Sequence, residues 1–264
     1  MAAGLSQPVV ERATGGPGDG RFRGRTALVT GGGRGIGRAV ALALAVEGAA
    51  VGVVARSRDQ CEAVAEAIGE RGVAIPGDVG DAESCGSAVA ELTARFGRPS
   101  VLVNAAGISP IRGRAERQEV STFAHVINVN LVGAFAMTHA AADSLCNGGG
   151  AVVNIASTLG VAGSPLLSAY GASKAALIQL TRTLAREWAN RGVRVNAVCP
   201  GYVETDLTAK MLANESILTS ILEQTPLGRL AVMKEVVAPV LFLASDDAAY
   251  ITGAALLVDG GLAA

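Results

Sequence analysis

Charge of one sign is what this sequence lacks most. Its 22 Lys and Arg residues nearly balance 23 Asp and Glu, leaving a formal charge of −1 at pH 7. That balance gives no electrostatic footprint for nucleic acid or an anionic membrane. Long apolar runs also read as missing, with Gly, Arg or Asp interrupting each stretch before the roughly 18 residues a bilayer span needs, so no membrane partner is expected. Cysteine is sparse. Cys61, Cys85, Cys146 and Cys199 are scattered and form no CxxC or His-containing cluster, which predicts no metal site and free thiols in a reducing cytoplasm. His125 and His139 are offset from any ligand pair and read as packed or solvated. Residues 1–22 have neither an apolar signal core nor a sustained period, so a flexible leader is expected there.

What is present is core material. Half of the residues are hydrophobic and 17% are charged, enough for one large α/β domain over residues 23–264. Short apolar runs at Thr26–Thr30, Val51–Val54, Val73–Ile75, Val101–Asn104, Val152–Ile155, Val193–Val198 and Ala255–Val258 read as strands. They do not alternate, as expected for strands covered on both faces. Amphipathic stretches at Ile36–Glu47, Arg58–Glu70, Glu83–Phe96, Glu119–Leu145 and Ala169–Asn190 separate them. That βαβ rhythm predicts a doubly wound, seven-stranded parallel sheet with helices on both sides. The region Glu204–Arg229 shows no strand pattern and reads as a mobile excursion over the sheet's carboxyl edge, where ligands bind in such folds.

The first strand runs into Thr30-Gly-Gly-Gly-Arg-Gly-Ile-Gly37. A glycine-rich turn between a strand and a helix suits a dinucleotide phosphate, which meets close backbone and the positive end of the helix. Gly31, Gly33, Arg34, Gly35, Ile36 and Gly37 are the candidates, although the spacing departs from GxGxxG. A carboxylate at the end of the second strand would select NAD by its ribose hydroxyl. Between Gly48 and Ser57 there is none; the chain offers Ala55-Arg56 instead. Arg56, with Arg34 as a second cation, suits a 2′-phosphate, so NADP(H) is expected over NAD(H). Asp78-Val79 either caps a turn or holds the adenine amino group. Asn104-Ala105-Ala106-Gly107 ends the fourth strand with small residues that let backbone approach a ligand, or forms a plain turn.

Tyr170-Gly-Ala-Ser-Lys174 follows Ser157 by thirteen residues. Positions i and i+4 share one helix face. A phenol titrates near ~10, and a nearby ammonium is expected to lower that value toward neutral pH.

Taken in order, Thr30-Gly-x-x-x-Gly-x-Gly37, Asn104-Ala-Ala-Gly107, Ser157, Tyr170-x-x-x-Lys174 and Pro200-Gly201 resemble the short-chain dehydrogenase/reductase superfamily, in its single-domain branch. The likeness spans Gly24 to Leu262. It implies Tyr170 as general acid or base, Lys174 bonding the nicotinamide ribose and Ser157 holding the substrate oxygen. It also implies Asn130, rather than Asn128, as the fourth catalytic member, holding a water that links Lys174 to solvent. Pro200, Gly201, Val203 and Thr205 match the segment that contacts the nicotinamide carboxamide. Ile251-Thr-Gly253 and Val258-Asp-Gly-Gly261 match the end that packs in a homotetramer, which makes Asp259 structural.

The substrate side includes Ser157, Leu159, Tyr170 and Tyr202, with Ile108, Ser109, Pro165, Leu166, Leu207 and Met211 around them. Most are apolar, so a small ketone or secondary alcohol with a hydrophobic body is expected. An acyl-carrier-protein reductase is the alternative: Arg191 matches a docking position, but Cys146-Asn-Gly-Gly-Gly150 replaces the second basic patch. A non-catalytic dinucleotide sensor on this fold would lack the tyrosine or lysine, which this chain keeps.

Overall fold

The structure, a computed structural model, describes residues 20–109 and 113–264. Seven strands form one sheet: β1 (Thr26–Thr30), β2 (Ala50–Ala55), β3 (Gly72–Pro76), β4 (Val101–Asn104), β5 (Gly150–Ile155), β6 (Val193–Pro200) and β7 (Ala255–Val258). All pairings are parallel, in the order β3-β2-β1-β4-β5-β6-β7. This is the doubly wound Rossmann fold expected from the strand pattern. The order reverses between β1 and β4, and that reversal opens a crevice at their carboxyl ends.

The helices are α1 (Gly35–Val46), α2 (Arg58–Ile68), α3 (Ala82–Phe96), α4 (Val120–Ile127), α5 (Gly133–Ala140), α6 (Ala142–Gly148), α7 (Ser168–Trp188), α8 (Asp206–Leu212), α9 (Glu215–Gln224) and α10 (Met233–Ala244). Alternation within each strand explains the unbroken apolar runs. In β1, Ala27 and Val29 pack with Val40 and Leu44 of α1 and Val236 and Val240 of α10. Leu28 faces the other layer, with Leu92 of α3, Met137 of α5 and Leu184 of α7. All four cysteines are free and buried.

Several expectations are corrected. Residues 1–19 of the expected leader lie outside the described residues, but its end is not loose. Phe22 is fully buried in the α1 layer, its N–H donates to Glu47 O at 2.9 Å, and Arg21 pairs with Glu47. The packed chain therefore begins upstream of residue 23. The expected long helix Glu119–Leu145 is broken by a π-helical segment, Asn128–Val132, and again at Ala141, which separates α5 from α6.

From Val120 to Ala140 the chain has 21 residues and a mean hydropathy of 1.4 over its 18-residue window. The sequence carries no Asp, Glu, Lys or Arg there, and Gly133 is its one break of the expected kind, after 13 residues. By length and composition it could cross a bilayer. In this fold α4 packs on α7 and α5 on α3, and Asn130 and Thr138 are buried and hydrogen-bonded.

The excursion after β6 is helical. Asn214 caps α9, its Oδ1 accepting from Ser216 and Ile217 N–H, and α10 was not foreseen at all.

Candidate active site

The crevice is built first from backbone. β1 ends at Thr30 and α1 begins at Gly35, so the turn between them directs the helix N–H groups into the opening. Gly31 sits at φ +63°, and a Cβ there would lie 2.7 Å from Ala106 N. A Cβ on Gly37 would lie 2.2 Å from Gly31 O. Only glycine allows these approaches. Thr30 Oγ1 locks the arrangement by accepting from Ala105 and Ala106 N–H, each at 3.2 Å.

A cleft of about 400 Å³ follows the carboxyl edge of the sheet. It brings together Gly31, Gly33, Arg34, Gly35, Ile36 and Gly37 with Ala55, Arg56, Asp78, Val79, Ala105, Ala106 and Gly107. Pro200, Gly201, Val203 and Thr205 close it from β6, with Leu207 of α8 beside them. Asn104 is the exception among the nominated cofactor residues. Its Nδ2 donates to Thr138 Oγ1 and Asn154 Oδ1, both at 2.9 Å, beneath the cleft. It tethers the sheet to α5 rather than lining the opening.

At the β2 end the cleft is cationic. Arg34 and Arg56 are exposed, and neither guanidinium makes an ion pair or hydrogen bond among the described residues. Ser57 caps α2, its Oγ accepting from Gln60 N–H at 3.4 Å. Both Ser57 and Gln60 line the cleft, and the sequence reading missed them. The spacing Ser57-Arg-Asp-Gln60 is a capping-box pattern, which could have flagged that helix start facing the site. Asp78 Oδ1 accepts from Gly80 N–H at 2.9 Å, so it does cap its turn.

The other end carries Ser157, Tyr170 and Lys174 in the same cleft. Ser157 follows β5, and its Oγ accepts from Leu159 N–H at 3.1 Å. Lys174 Nζ donates to Ile155 O at 2.7 Å and lies 5.7 Å from the Tyr170 ring centroid. Burial lowers the Lys174 ammonium to about 8. Burial also raises the Tyr170 phenol, while the Ser157 hydroxyl opposes the rise. The expected lowering of the phenol by Lys174 is therefore not found. Lys174 instead donates to a carbonyl and is itself desolvated.

Asn130 is fully buried, whereas Asn128 is exposed. Asn130 Oδ1 accepts from Ile108 N–H at 2.8 Å, and its Nδ2 donates to Ile108 O and Ser173 Oγ, both at 3.0 Å. The π turn supplies this inward aim, as such bulges often do near sites. Sequence periodicity gives no sign of it.

Two nominated substrate residues fall elsewhere. Tyr202 borders a neighbouring cavity of about 600 Å³ with Arg229 and Asp259. Leu159 contributes its N–H to Ser157 and lies in a turn packed on α7. Asp259 is held by Gly261 and Ala263 N–H, in keeping with a structural role.

A glycine turn at a helix N-terminus shares one cleft with a buried lysine and serine and a half-buried tyrosine, an arrangement suited to a dinucleotide-dependent oxidoreductase. A family model described as Enoyl-(Acyl carrier protein) reductase matches residues 31–263. Galactitol 2-dehydrogenase (L-tagatose-forming) of Cereibacter sphaeroides is 42% identical over 245 residues, 91% of this chain and 96% of that one. The 3-oxoacyl-(acyl-carrier-protein) reductase of Escherichia coli (strain K12) is 39% identical over 242 residues, covering 91% and 98%. A Beutenbergia cavernae structure, provisionally assigned as an NAD(P) dependent gluconate 5-dehydrogenase with NADP at low occupancy, has a TM-score of 0.86. It is 42% identical and covers 91% of this chain and 97% of its own. The chain belongs to the short-chain dehydrogenase/reductase superfamily.

Proposed function

We propose that this protein is an NADP(H)-dependent oxidoreductase that interconverts a ketone and a secondary alcohol on a small, mainly hydrophobic substrate. The observation that carries the proposal is the single cleft shared by the glycine turn and by Ser157, Tyr170 and Lys174. The residues fit a nicotinamide dinucleotide. The helix N-terminus and close-packed glycine backbone suit its pyrophosphate. Arg34, Arg56 and the Ser57 hydroxyl suit a 2′-phosphate, and no carboxylate at the end of β2 opposes one.

When bound, the reduced nicotinamide supplies the hydride that the carbonyl carbon accepts. Tyr170 Oη delivers a proton to the developing alkoxide, and takes one from the alcohol in the reverse direction. Ser157 Oγ holds the reacting oxygen. Lys174 bonds the nicotinamide ribose and, with Asn130, maintains the proton path. Ile108 and Leu207 line the cleft and favour an apolar substrate body.

Reduction of a 3-oxoacyl group on a carrier protein is the second reading, supported by exposed Arg191. The adjoining loop through Cys146–Gly150 offers no further cation. Exposed Leu256 and Leu257 on edge strand β7 support a homotetramer, and the cytoplasm is the proposed location. The test is loss of NADPH or NADH absorbance against diketones, ketoesters and ketoses. NADPH should be preferred with a diketone or ketoester. Arg56→Asp should raise the KM for NADPH about 10-fold or more, as loss of a charge-assisted contact implies, and leave NADH nearly unchanged. Equal effects on both cofactors would remove the assignment to NADP(H).

A further inference from the structure

Among the described residues, Leu166 is the one non-glycine at positive φ, +69°. It follows Pro165 in a turn two residues before α7 begins. A left-handed position directly after a turn proline ordinarily belongs to Gly or Asn. A leucine persists in that conformation only where its surroundings impose it.

The surroundings are a closed set of hydrogen bonds. Gly113 N–H donates to Leu166 O at 3.0 Å. Gln118 Nε2 donates to Gly113 O at 2.9 Å. Ser168 Oγ, on the first residue of α7, donates to Gln118 Oε1 at 2.8 Å. One carboxamide thus joins the chain after β4 to the start of the helix that carries Tyr170 and Lys174. A carboxamide offers a donor and an acceptor at once, on two different atoms. Gln118 also borders a small void with Ser109, Thr122 and Val126, and Tyr170 is the residue that void shares with the cofactor cleft. Asn130 clamps the same connection at Ile108, on the cofactor side. Gln118 clamps its far end.

We propose that Gln118 is a positioning residue, whose two hydrogen bonds hold the strained Leu166 turn against the β4–α4 connection and so set the substrate wall beside Tyr170. The inference rests on reading Tyr170 as the proton donor.

The test compares the full-length parent with Gln118→Ala, using hydrogen exchange, melting and kinetics with NADPH and 2,3-butanedione. Gln118→Ala should speed exchange of the Gly113 amide about tenfold or more while leaving the Ile108 amide unchanged. It should raise the KM for the diketone about tenfold, with the KM for NADPH within about twofold of the parent. Leu166→Gly should melt above Leu166→Ala, reversing the usual order because the position is left-handed. Unchanged exchange at Gly113, equal shifts in both KM values, or a higher melting temperature for the alanine variant would overturn the proposal. A parent inert toward every carbonyl would count against the oxidoreductase reading, and exchange and melting would still decide whether Gln118 holds the turn.

Discussion

The two ends of the cleft are made of different material. The dinucleotide end consists of strand termini, a helix N-terminus and glycines whose missing side chains decide how closely backbone can pack. The proposed substrate end is made of connections, namely the β4–α4 chain held at Ile108 and Gln118, the turn at Pro165–Leu166, and helix α8 after β6. A phosphate cradle can therefore be read from local rules, because strand, glycine and helix cap each leave a sequence mark. The substrate wall depends on hydrogen bonds between segments distant in sequence, which leave none.

Breaking the glycine turn should have the largest effect on cofactor binding. Gly37→Ala places a carbon 2.2 Å from Gly31 O, and overpacking of this kind costs about 1–3 kcal/mol or more. Expressed through cofactor binding, that is a 10- to 100-fold or greater rise in the NADPH Kd by fluorescence titration. An unchanged Kd would mean that the cradle is not where the cofactor sits.

At the substrate end, Lys174 sharpens the contrast through stability. Its folded pKa of about 8 lies below the ordinary 10.5 because burial disfavours the cation. Between those values the unfolded chain binds more protons, so stability rises with pH from about 8 to about 10.5, and the burial cost is fully present below 8. In urea unfolding, Lys174→Met should be more stable than the ligand-free parent at pH 7. The shift corresponds to about 3 kcal/mol, offset partly by the lost bond to Ile155 O. That gap should close by pH 10.5, and a pH-independent gap would contradict the buried cation.

The smallest effect belongs to the cofactor end. Ser57→Ala removes the cap of α2, worth about 1 kcal/mol in typical cases and less here, where the bond is 3.4 Å long. Thermal melting should show a drop of no more than a few degrees, with NADPH still bound. Loss of binding would move Ser57 from helix cap to principal ligand.

Much of the fold was legible in the sequence. All seven strands were anticipated, with edges shifted by a residue or two, because each is a short apolar run between glycine or polar breaks. The nominated cofactor residues line one cleft except Asn104, whose amide turns inward to Thr138 and Asn154. The π turn that aims Asn130 was invisible, since a single widened turn leaves the apolar period intact. Helix α10 was missed; it carries Pro239 inside it, a residue that ordinarily breaks or kinks a helix. Tyr202 and Leu159 do not line that cleft, although Leu159 N–H donates to Ser157 Oγ and Tyr202 acts on the Tyr170 phenol through space. The direction of the Tyr170 shift was misjudged because spacing places a cation near a phenol but says nothing of burial or of the carbonyl that claims it.

The most direct measurement is turnover of Tyr170→Phe with NADPH and the best carbonyl substrate, alongside its NADPH Kd. Loss of a general acid slows catalysis by ~10²–10⁴-fold, and the account predicts that loss with the Kd within about twofold of the parent. A phenylalanine variant that turns over at the parent's rate would contradict it.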